Sequence, residues 1–428
     1  VSVDLVVVGL GYVGLPLAQA ACRAGLSVRG LDLNKEIVSG LNAGRSHVDD
    51  LSEADIAEML GKGFVATTDD AILAEADTIV ICVPTPLSPE GGPDLGAVLG
   101  ATRAIAKHLH KGQLVVLEST TYPGTTDEDV RPILEAGGLV AGVDFNLAFS
   151  PERIDPGNPV YGMTNTPKVV GGHTPACTAR AAAFYGRFVN TVVQARGTRE
   201  AEMAKLIENT YRHINIALVN EMAQFCKPLG IDVWDAINAA ASKPFGFQAF
   251  FPGPGVGGHC IPIDPNYLSH RVKTLLGHPF RFVELAQEIN AGMPAYVKRR
   301  IQDLLNDQGR SLKGSTVLLL GVTYKPDIAD QRESPVRPLA RELLASGANV
   351  VFHDPYVPEW NIDNEHGHPS ATDRVLHSQA DALDAARAAD IVVLLMPHRG
   401  YDLEAIAAAS RQLLDTRGKL SGSNVERL

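Results

Sequence analysis

A chain of 428 residues with 45% hydrophobic and 20% charged side chains is an ordinary folded protein, not a disordered or fibrous one; at about 150 residues per domain it divides into two or three. Its 38 Lys and Arg against 49 Asp and Glu give a formal charge of −11, which argues against nucleic acid as a partner, because phosphate backbones are held by clustered cations. The five cysteines, Cys22, Cys82, Cys177, Cys226 and Cys260, are widely spaced and never in CxxC, so neither a disulfide framework nor a metal site is expected and a reducing cytoplasm fits. No stretch approaches the ~20 apolar residues of a membrane span and no export signal is visible, so no membrane partner is expected.

The opening VSVDLVVVGLGYVGLPLAQAACRAGLSVRGLDLN reads as a buried strand, a glycine turn, a helix and a second strand ending at Asp32, one βαβ unit. Apolar strands follow at 77–83, 113–118 and 146–149 with helical stretches between them, the pattern of a parallel sheet covered on both faces. This is a first domain, 1–195. From Thr198 to Leu229 there is no Gly, and no Pro until position 228, while apolar residues recur at helical spacing. That predicts one long helix of roughly 45 Å, a spine between domains and a candidate subunit interface.

Behind it, PFGFQAFFPGPGVGGHCIPIDP is too dense in Gly and Pro for regular structure and long enough to suggest function, closing a central segment of 196–300. A second α/β pattern occupies 301–428: a strand in KGSTVLLLGVTY, a helix at 335–346, a strand in VVFHDP, a helix at 380–388 and a strand in DIVVLLMP. Only Gly321 follows its first strand, so a second dinucleotide is not expected there. The fold class is therefore α/β, with two Rossmann-like doubly wound parallel-sheet domains joined by a central long-helix domain.

Gly9-Leu10-Gly11-Tyr12-Val13-Gly14 lies directly after a strand and opens a helix, and Asp32 ends the next strand. Gly9 permits the tight turn, Gly11 lets backbone amides approach a pyrophosphate, Gly14 allows close helix packing, and Asp32 accepts from a ribose 2′-hydroxyl. An acid there prefers NAD. Lys205 and Asn209 are four apart and project from one helix face with Arg212, Ile216 and Asn220, a weak sign of a cleft wall. Cys260 follows a glycine loop that would let a ligand approach closely, whereas the other four cysteines lie in apolar contexts where a thiol is a small core residue. A hydrolase pairing of Cys260 with His259 is disfavoured because adjacent side chains diverge.

A nicotinamide site plus one nucleophilic thiol points to oxidation of an alcohol to an aldehyde, capture as a thiohemiacetal, a second oxidation to a thioester, and hydrolysis to an acid. That cycle needs donors for an oxyanion, a carboxylate near water, and a cation to lower the thiol pKa.

Six motifs in order, GLGYVGLPLA, VPTP, ESTTYPGTT, SPER, GPGVGGHCIPIDP and GVTYKPDIADQRESP, give the chain a resemblance over nearly its whole length to the UDP-glucose/GDP-mannose dehydrogenase family, NAD-dependent four-electron oxidases of nucleotide sugars. The resemblance implies an N-terminal NAD-binding domain, a central dimer-forming helix and a C-terminal nucleotide-sugar domain, in a homodimer or higher homo-oligomer. It implies Cys260 as nucleophile, Lys205 and Asn209 as stabilisers of alkoxide and oxyanion, Asp264 as an acid positioning water or Lys205, and Thr120 and Glu152 as the pair that orders water. Tyr12, Val13, Pro84, Thr85, Ser119, Thr120 and Arg332 fall among the implied cofactor contacts. Glu152, Arg153, Lys205, Asn209, Gly257, His259 and Lys325 fall among the substrate contacts.

Without the resemblance, Glu152 and Arg153 read as a surface ion pair, Thr120 as a strand-end hydrogen-bonder and Asp264 as a turn former. UDP-glucose dehydrogenases typically carry a second Glu where this chain has Pro156. The run SPERIDPGN, TPKVVGG, KPFGF and GGHCIPIDP is more similar to the branch acting on UDP-N-acetylhexosamines. His259 and Arg153 then serve the acetamido group or its pocket, or His259 merely stabilises its loop. The expected reaction is C6 oxidation of a UDP-N-acetylhexosamine, UDP-N-acetylglucosamine first, with UDP-N-acetylmannosamine and UDP-glucose as alternatives; a one-hydride hydroxyacid-type dehydrogenase and an inactive nucleotide-sugar or NAD sensor are the rivals.

Overall fold

The computed structural model describes residues 3–48, 50–88, 92–155, 158, 160–258, 261–363 and 373–428; Pro156, His259 and Cys260 lie outside the described residues. The chain forms two compact units, Val1–Glu208 with Asn266–His278, and Asn209–Pro265 with Pro279–Leu428. The long helix Thr198–Cys226 runs from one into the other. It stops three residues short of the predicted Leu229, because Pro228 disfavours helical geometry at Lys227 before it.

The first unit is built on eight strands: β1 (Val3–Val8), β2 (Val28–Leu31), β3 (Val65–Thr67), β4 (Ala76–Ile81), β5 (Leu114–Leu117), β6 (Asn146–Phe149), β7 (Lys168–Gly172) and β8 (Val192–Gln194), in the order β3-β2-β1-β4-β5-β6-β7-β8. Strand side chains alternate between faces, and both faces here are dry. Leu5, Val7, Leu114 and Val116 enter one core, while Val6, Val8, Val115 and Leu117 enter the other. That two-sided burial is why these strands read as continuous apolar runs. The sheet departs from the wholly parallel expectation at one join, where β6 meets β7 antiparallel with Phe149 opposite Gly171.

The second unit holds β9 (Thr316–Leu320), β10 (Asn349–His353), a two-stranded antiparallel ribbon of β11 (Glu359–Asn361) and β12 (Val375–His377), then β13 (Ile391–Leu394), β14 (Leu413–Asp415) and β15 (Val425–Arg427). Its main sheet runs β10-β9-β13-β14-β15, parallel throughout. Val317 and Leu319 face one core and Leu318 and Leu320 the other. Helices Val233–Ala241 and Arg281–Asp307 join the long helix in this unit. Among the described residues no helix is long and apolar enough to cross a membrane.

The two sheets repeat one local device. Gly9, with φ +92°, donates to Leu31 O at 2.8 Å, and the next amide, Leu10, donates to Asp32 Oδ2 at 2.9 Å. Gly321, with φ +78°, donates to His353 O at 3.0 Å, and Val322 N donates to Asp354 Oδ2 at 2.8 Å. Asp32 is half-buried, whereas the Asp354 side chain is fully buried with His398 Nε2 at 3.1 Å. Because the Asp327 amide donates to His398 Nδ1, the imidazole proton sits on Nε2 and points at Asp354. Asp354→Ala should leave a buried amide without an acceptor and turn the buried imidazole N–H over to the more distant Thr323 hydroxyl, 3.4 Å away. An unfolding free energy lower by about 2–4 kcal/mol is expected in denaturant melts, with NAD affinity unchanged; undiminished stability would refute the assignment.

Candidate functional site

The crevice in the first sheet lies where strand order reverses between β1 and β4, the position at which open α/β sheets bind ligands. A Cβ on Gly9 would sit 2.8 Å from Cys82 O, and one on Gly14 would fall 1.9 Å from Gly9 O, so both glycines are required by packing. Gly11 faces open space, with nothing within 4 Å of a Cβ there. The helix Gly14–Arg23 begins at Val13 without a side-chain cap, which leaves its first amides for an anion, whereas Asn34 and Ser52 cap the next two helices. Asp32 spends one lone pair of each oxygen, on Leu10 N at 2.9 Å and Asn34 N at 2.8 Å, and retains the others for ribose hydroxyls. Tyr12 and Pro84 are exposed at this edge. These features fit NAD.

The carboxyl ends of β4 and β5 are stitched together beside the crevice. Ser119 Oγ donates to Val83 O at 2.7 Å and Thr85 Oγ1 donates to Thr120 O at 2.8 Å, which fixes the half-buried Thr120 through its backbone. Glu152, in the turn after β6, is buried, not the surface partner of Arg153. Arg153 instead pairs with Glu208 at 2.8 Å and donates to Pro167 O at 2.7 Å. Lys205 is buried and its ammonium donates to Glu152 O at 2.6 Å. Lys205 and Glu152 therefore meet directly.

In the second unit, Asn209 Nδ2 donates to Asp264 Oδ2 at 2.5 Å, both groups buried. Asp264 is the first residue of the helix Asp264–Leu276, where a carboxylate is favoured by the helix dipole; it is not a turn former. The buried face of the long helix runs Lys205, Asn209, His213, Asn220, while Arg212 points to solvent. Burial lowers the His213 imidazole to about 4, so it is neutral at physiological pH. Asn220 bridges Asn290 Oδ1 at 2.9 Å and Gly253 N at 2.9 Å, anchoring the start of the glycine loop.

In the described part of that loop, two glycines are shaped by the protein's own packing. Cβ atoms on Gly257 and Gly258 would lie 2.7 and 2.8 Å from Tyr324, so these glycines admit the protein's own 324–335 segment. Gly258 N donates to Arg332 O at 3.2 Å. The Arg332 guanidinium forks onto Asp330 at 2.6–3.1 Å, and Lys325 is half-buried beside Thr323, whose hydroxyl donates to its carbonyl at 2.9 Å.

Sequence reasoning missed three buried charges in the first unit: Glu118, Lys168 and Glu202. The signal was a lone charge at the edge of an apolar run, as in LVVLE and KVVGG. Lys168 Nζ lies 3.0 Å from Glu118 Oε2 and 3.4 Å from Glu152 Oε2. Glu202, one helical turn before Lys205, accepts from Gly124 N at 2.6 Å, Thr126 N at 2.9 Å and Thr126 Oγ1 at 2.7 Å, so it clamps the loop that follows Thr120.

Three family models match the chain, all of the UDP-glucose/GDP-mannose dehydrogenase family: the NAD binding domain at 3–189, the central domain at 199–292 and the UDP binding domain at 318–422. A UDP-N-acetyl-D-glucosamine 6-dehydrogenase of Pseudomonas aeruginosa is 36% identical over 86% of each chain. A UDP-N-acetyl-D-mannosamine dehydrogenase of Salmonella typhi is 34% identical over 96% of this chain and 98% of its own. A solved structure of a UDP-D-ManNAc dehydrogenase from Pyrococcus horikoshii superposes with a TM-score of 0.87 at 30% identity, over 99% of this chain and 98% of that one.

Burial raises the Glu202 carboxyl to about 7 from 4.5, against the pull of its three donors. The folded state then keeps a proton that the unfolded chain gives up, so this group's contribution to stability is complete below about pH 4.5 and is lost as the pH rises through 7. Glu202→Gln does not titrate. Urea melts at pH 5 and pH 8 should show wild type losing stability relative to Glu202→Gln on going to the higher pH; a difference independent of pH would contradict the shift.

Proposed function

The chain belongs to the UDP-glucose/GDP-mannose dehydrogenase family, and we propose that it oxidises C6 of a UDP-N-acetylhexosamine, UDP-N-acetylglucosamine before UDP-N-acetylmannosamine, to the uronic acid. It is an NAD-dependent oxidoreductase with a UDP-binding domain. One observation carries the reading: Lys205 and Asn209, one turn apart on the long helix, are each tied to a second expected site residue, Lys205 to Glu152 at 2.6 Å and Asn209 to Asp264 at 2.5 Å.

The roles follow from what those bonds leave over. An ammonium has three donors, so Lys205 retains two beyond Glu152 O to steady an alkoxide and then an oxyanion. With one Nδ2 proton of Asn209 committed to Asp264, the amide is fixed in orientation and its other proton is available to an oxyanion. Bound NAD supplies the hydride acceptor for each of two oxidations. The Cys260 thiolate adds to the aldehyde carbon formed by the first, and the second converts the thiohemiacetal to a thioester. Water, ordered by Glu152 and Thr120, attacks that carbonyl; the carboxylate leaves and the thiol is restored. Asp264 positions Asn209, and Lys325 and Arg153 contact the nucleotide sugar.

The same reading takes 1–195, 196–300 and 301–428 as cofactor, central and nucleotide-sugar domains, and the chain as a homodimer or larger homo-oligomer. Support for self-association comes from Ile207, Tyr211, Leu218 and Phe225, which leave a stripe of exposed apolar side chains at heptad-like spacing on one face of the long helix.

Two NADH per sugar are expected, with UDP-N-acetylglucosamine the best substrate in a panel including UDP-N-acetylmannosamine, UDP-N-acetylgalactosamine and UDP-glucose. One NADH would favour a simple dehydrogenase, and binding without turnover a sensor. Cys260→Ser should bind substrate yet form acid about a hundredfold or more slowly; normal acid formation in that variant would remove the covalent mechanism.

A further inference from the structure

Lys168 has no role in the reaction as described, yet it is a fully enclosed cation, its side chain 4% exposed, at the first position of β7. How it comes to lie beside Glu152 is a matter of register. The sheet runs parallel up to β6, so the turns after β4, β5 and β6 all emerge at one edge. A seventh strand in the same direction would put its first residue at the opposite edge. β7 is antiparallel to β6, with Phe149 opposite Gly171, and Ser150 Oγ donates to Val169 O at 2.8 Å as the two chains continue side by side. The reversal brings the start of β7, and with it Lys168, to the edge that carries Glu118 and Glu152.

Glu118 is fully buried, one oxygen 3.0 Å from Lys168 Nζ and the other accepting the Tyr185 hydroxyl. Glu152 Oε1 accepts two backbone amides, Arg153 N at 2.7 Å and Ile154 N at 2.5 Å, while Oε2 lies 3.4 Å from Lys168. Tyr185 packs its ring 5.4 Å from the ammonium, and among the described residues the buried Cys82 is a further ionisable group whose charge acts on it. Lys205 engages only the backbone carbonyl of Glu152, and Arg153 turns away to Glu208. A carboxylate offers about four acceptor sites. Three on Glu152 are taken, and the fourth is on the oxygen that faces Lys168.

We propose that Lys168, itself held by Glu118, is the positioning residue for Glu152: it fixes the carboxylate so that the one lone pair left over receives a proton from the water that cleaves the acyl-enzyme. This rests on the reading of Glu152 as the water-ordering carboxylate. Glu118 carries the second half of the device. With Lys168 between them the two buried carboxylates share one cation; without it they repel, and one of them must take up a proton.

The step affected is hydrolysis, in which water adds to the thioester carbonyl, the C–S bond breaks to give carboxylate and thiol, and Glu152 accepts the water's proton. Lys168→Met should therefore keep both oxidations and lose hydrolysis. A pre-steady-state burst of about two NADH per site is expected, followed by turnover at least about tenfold slower at pH 7 that recovers as the pH is raised, with the acyl-enzyme visible by intact mass. Lys168→Arg should restore turnover in large part. Glu118→Gln, which leaves the cation to Glu152 alone, should move the acid limb of the rate profile to lower pH, and it decides the matter if Lys168→Met does not fold.

Unchanged rates and pH profiles in these variants, or loss of both oxidations with no acyl-enzyme, would overturn the proposal. Glu152→Gln separates the two levels. If it accumulates acyl-enzyme and the Lys168 variants do not, Lys168 is structural only; if it turns over normally, the role of Glu152 fails and the positioning role falls with it.

Discussion

Three ionisable groups enclosed at one edge of a sheet are tolerated only if each is paired, because an isolated charge moved out of water costs several kcal/mol even after relaxation. Glu118, Lys168 and Glu152 meet that condition together, since no two of them form a neutral set that leaves the third satisfied. Burial pushes the Glu118 carboxyl up while Lys168 pulls it down; burial opposes the Lys168 ammonium, and the two carboxylates more than restore it, raising its pKa. The cluster dictates features that otherwise look incidental. It requires the antiparallel β7, a tyrosine hydroxyl to satisfy the second oxygen of Glu118, and two successive amides turned toward Glu152. Such a set does not earn its place through stability, for apolar residues of equal volume would pack as well.

The long helix distributes this order. Glu202, Lys205 and Asn209 occupy successive turns of its buried face, and each reaches a different loop: Glu202 the Gly124–Thr126 backbone, Lys205 the Glu152 carbonyl, Asn209 the Asp264 carboxylate. Further along, Asn220 holds Gly253. Helix propensity alone does not explain the sequence NTYRHINIALVN, rich in Asn and β-branched residues; side-chain contacts on the inner face do.

The parts most legible in the sequence were those governed by local rules. Strand–glycine–helix–aspartate over 3–32 has a period, a turn chemistry and a spacing that leave little freedom, and the structure follows the element order, with the second strand ending at Leu31, one residue before Asp32. The strand at 146–149 and the helix near 335–346 were legible for the same reason. What was not legible depended on long-range pairing. Nothing in KVVGG states that its strand runs backwards, so Lys168 could not be set beside Glu152. The glycines at 257 and 258 announce a close approach without saying by what, and the approaching group is Tyr324, sixty-six residues on from Gly258. Arg212 and His213 differ by 100° around the helix, and composition did not tell which of them faces inward.

The same limit explains why the second sheet looked less like the first than it is. Only Gly321 survives of the glycine turn, yet the hydrogen bonds from Gly321 to His353 and from Val322 to Asp354 reproduce those of Gly9 and Leu10. The difference lies in what meets the aspartate. Asp32 keeps acceptor capacity toward solvent, where a ribose hydroxyl can find it; Asp354 is closed over by His398, whose own orientation is set by the Asp327 amide. A hydroxyl competing for Asp354 would have to displace a buried imidazole and leave its N–H to the Thr323 hydroxyl at 3.4 Å. The same turn thus packs in both sheets while differing in what its aspartate offers to solvent, and a sequence rule built on glycine counting registers the missing glycines but not the shared geometry.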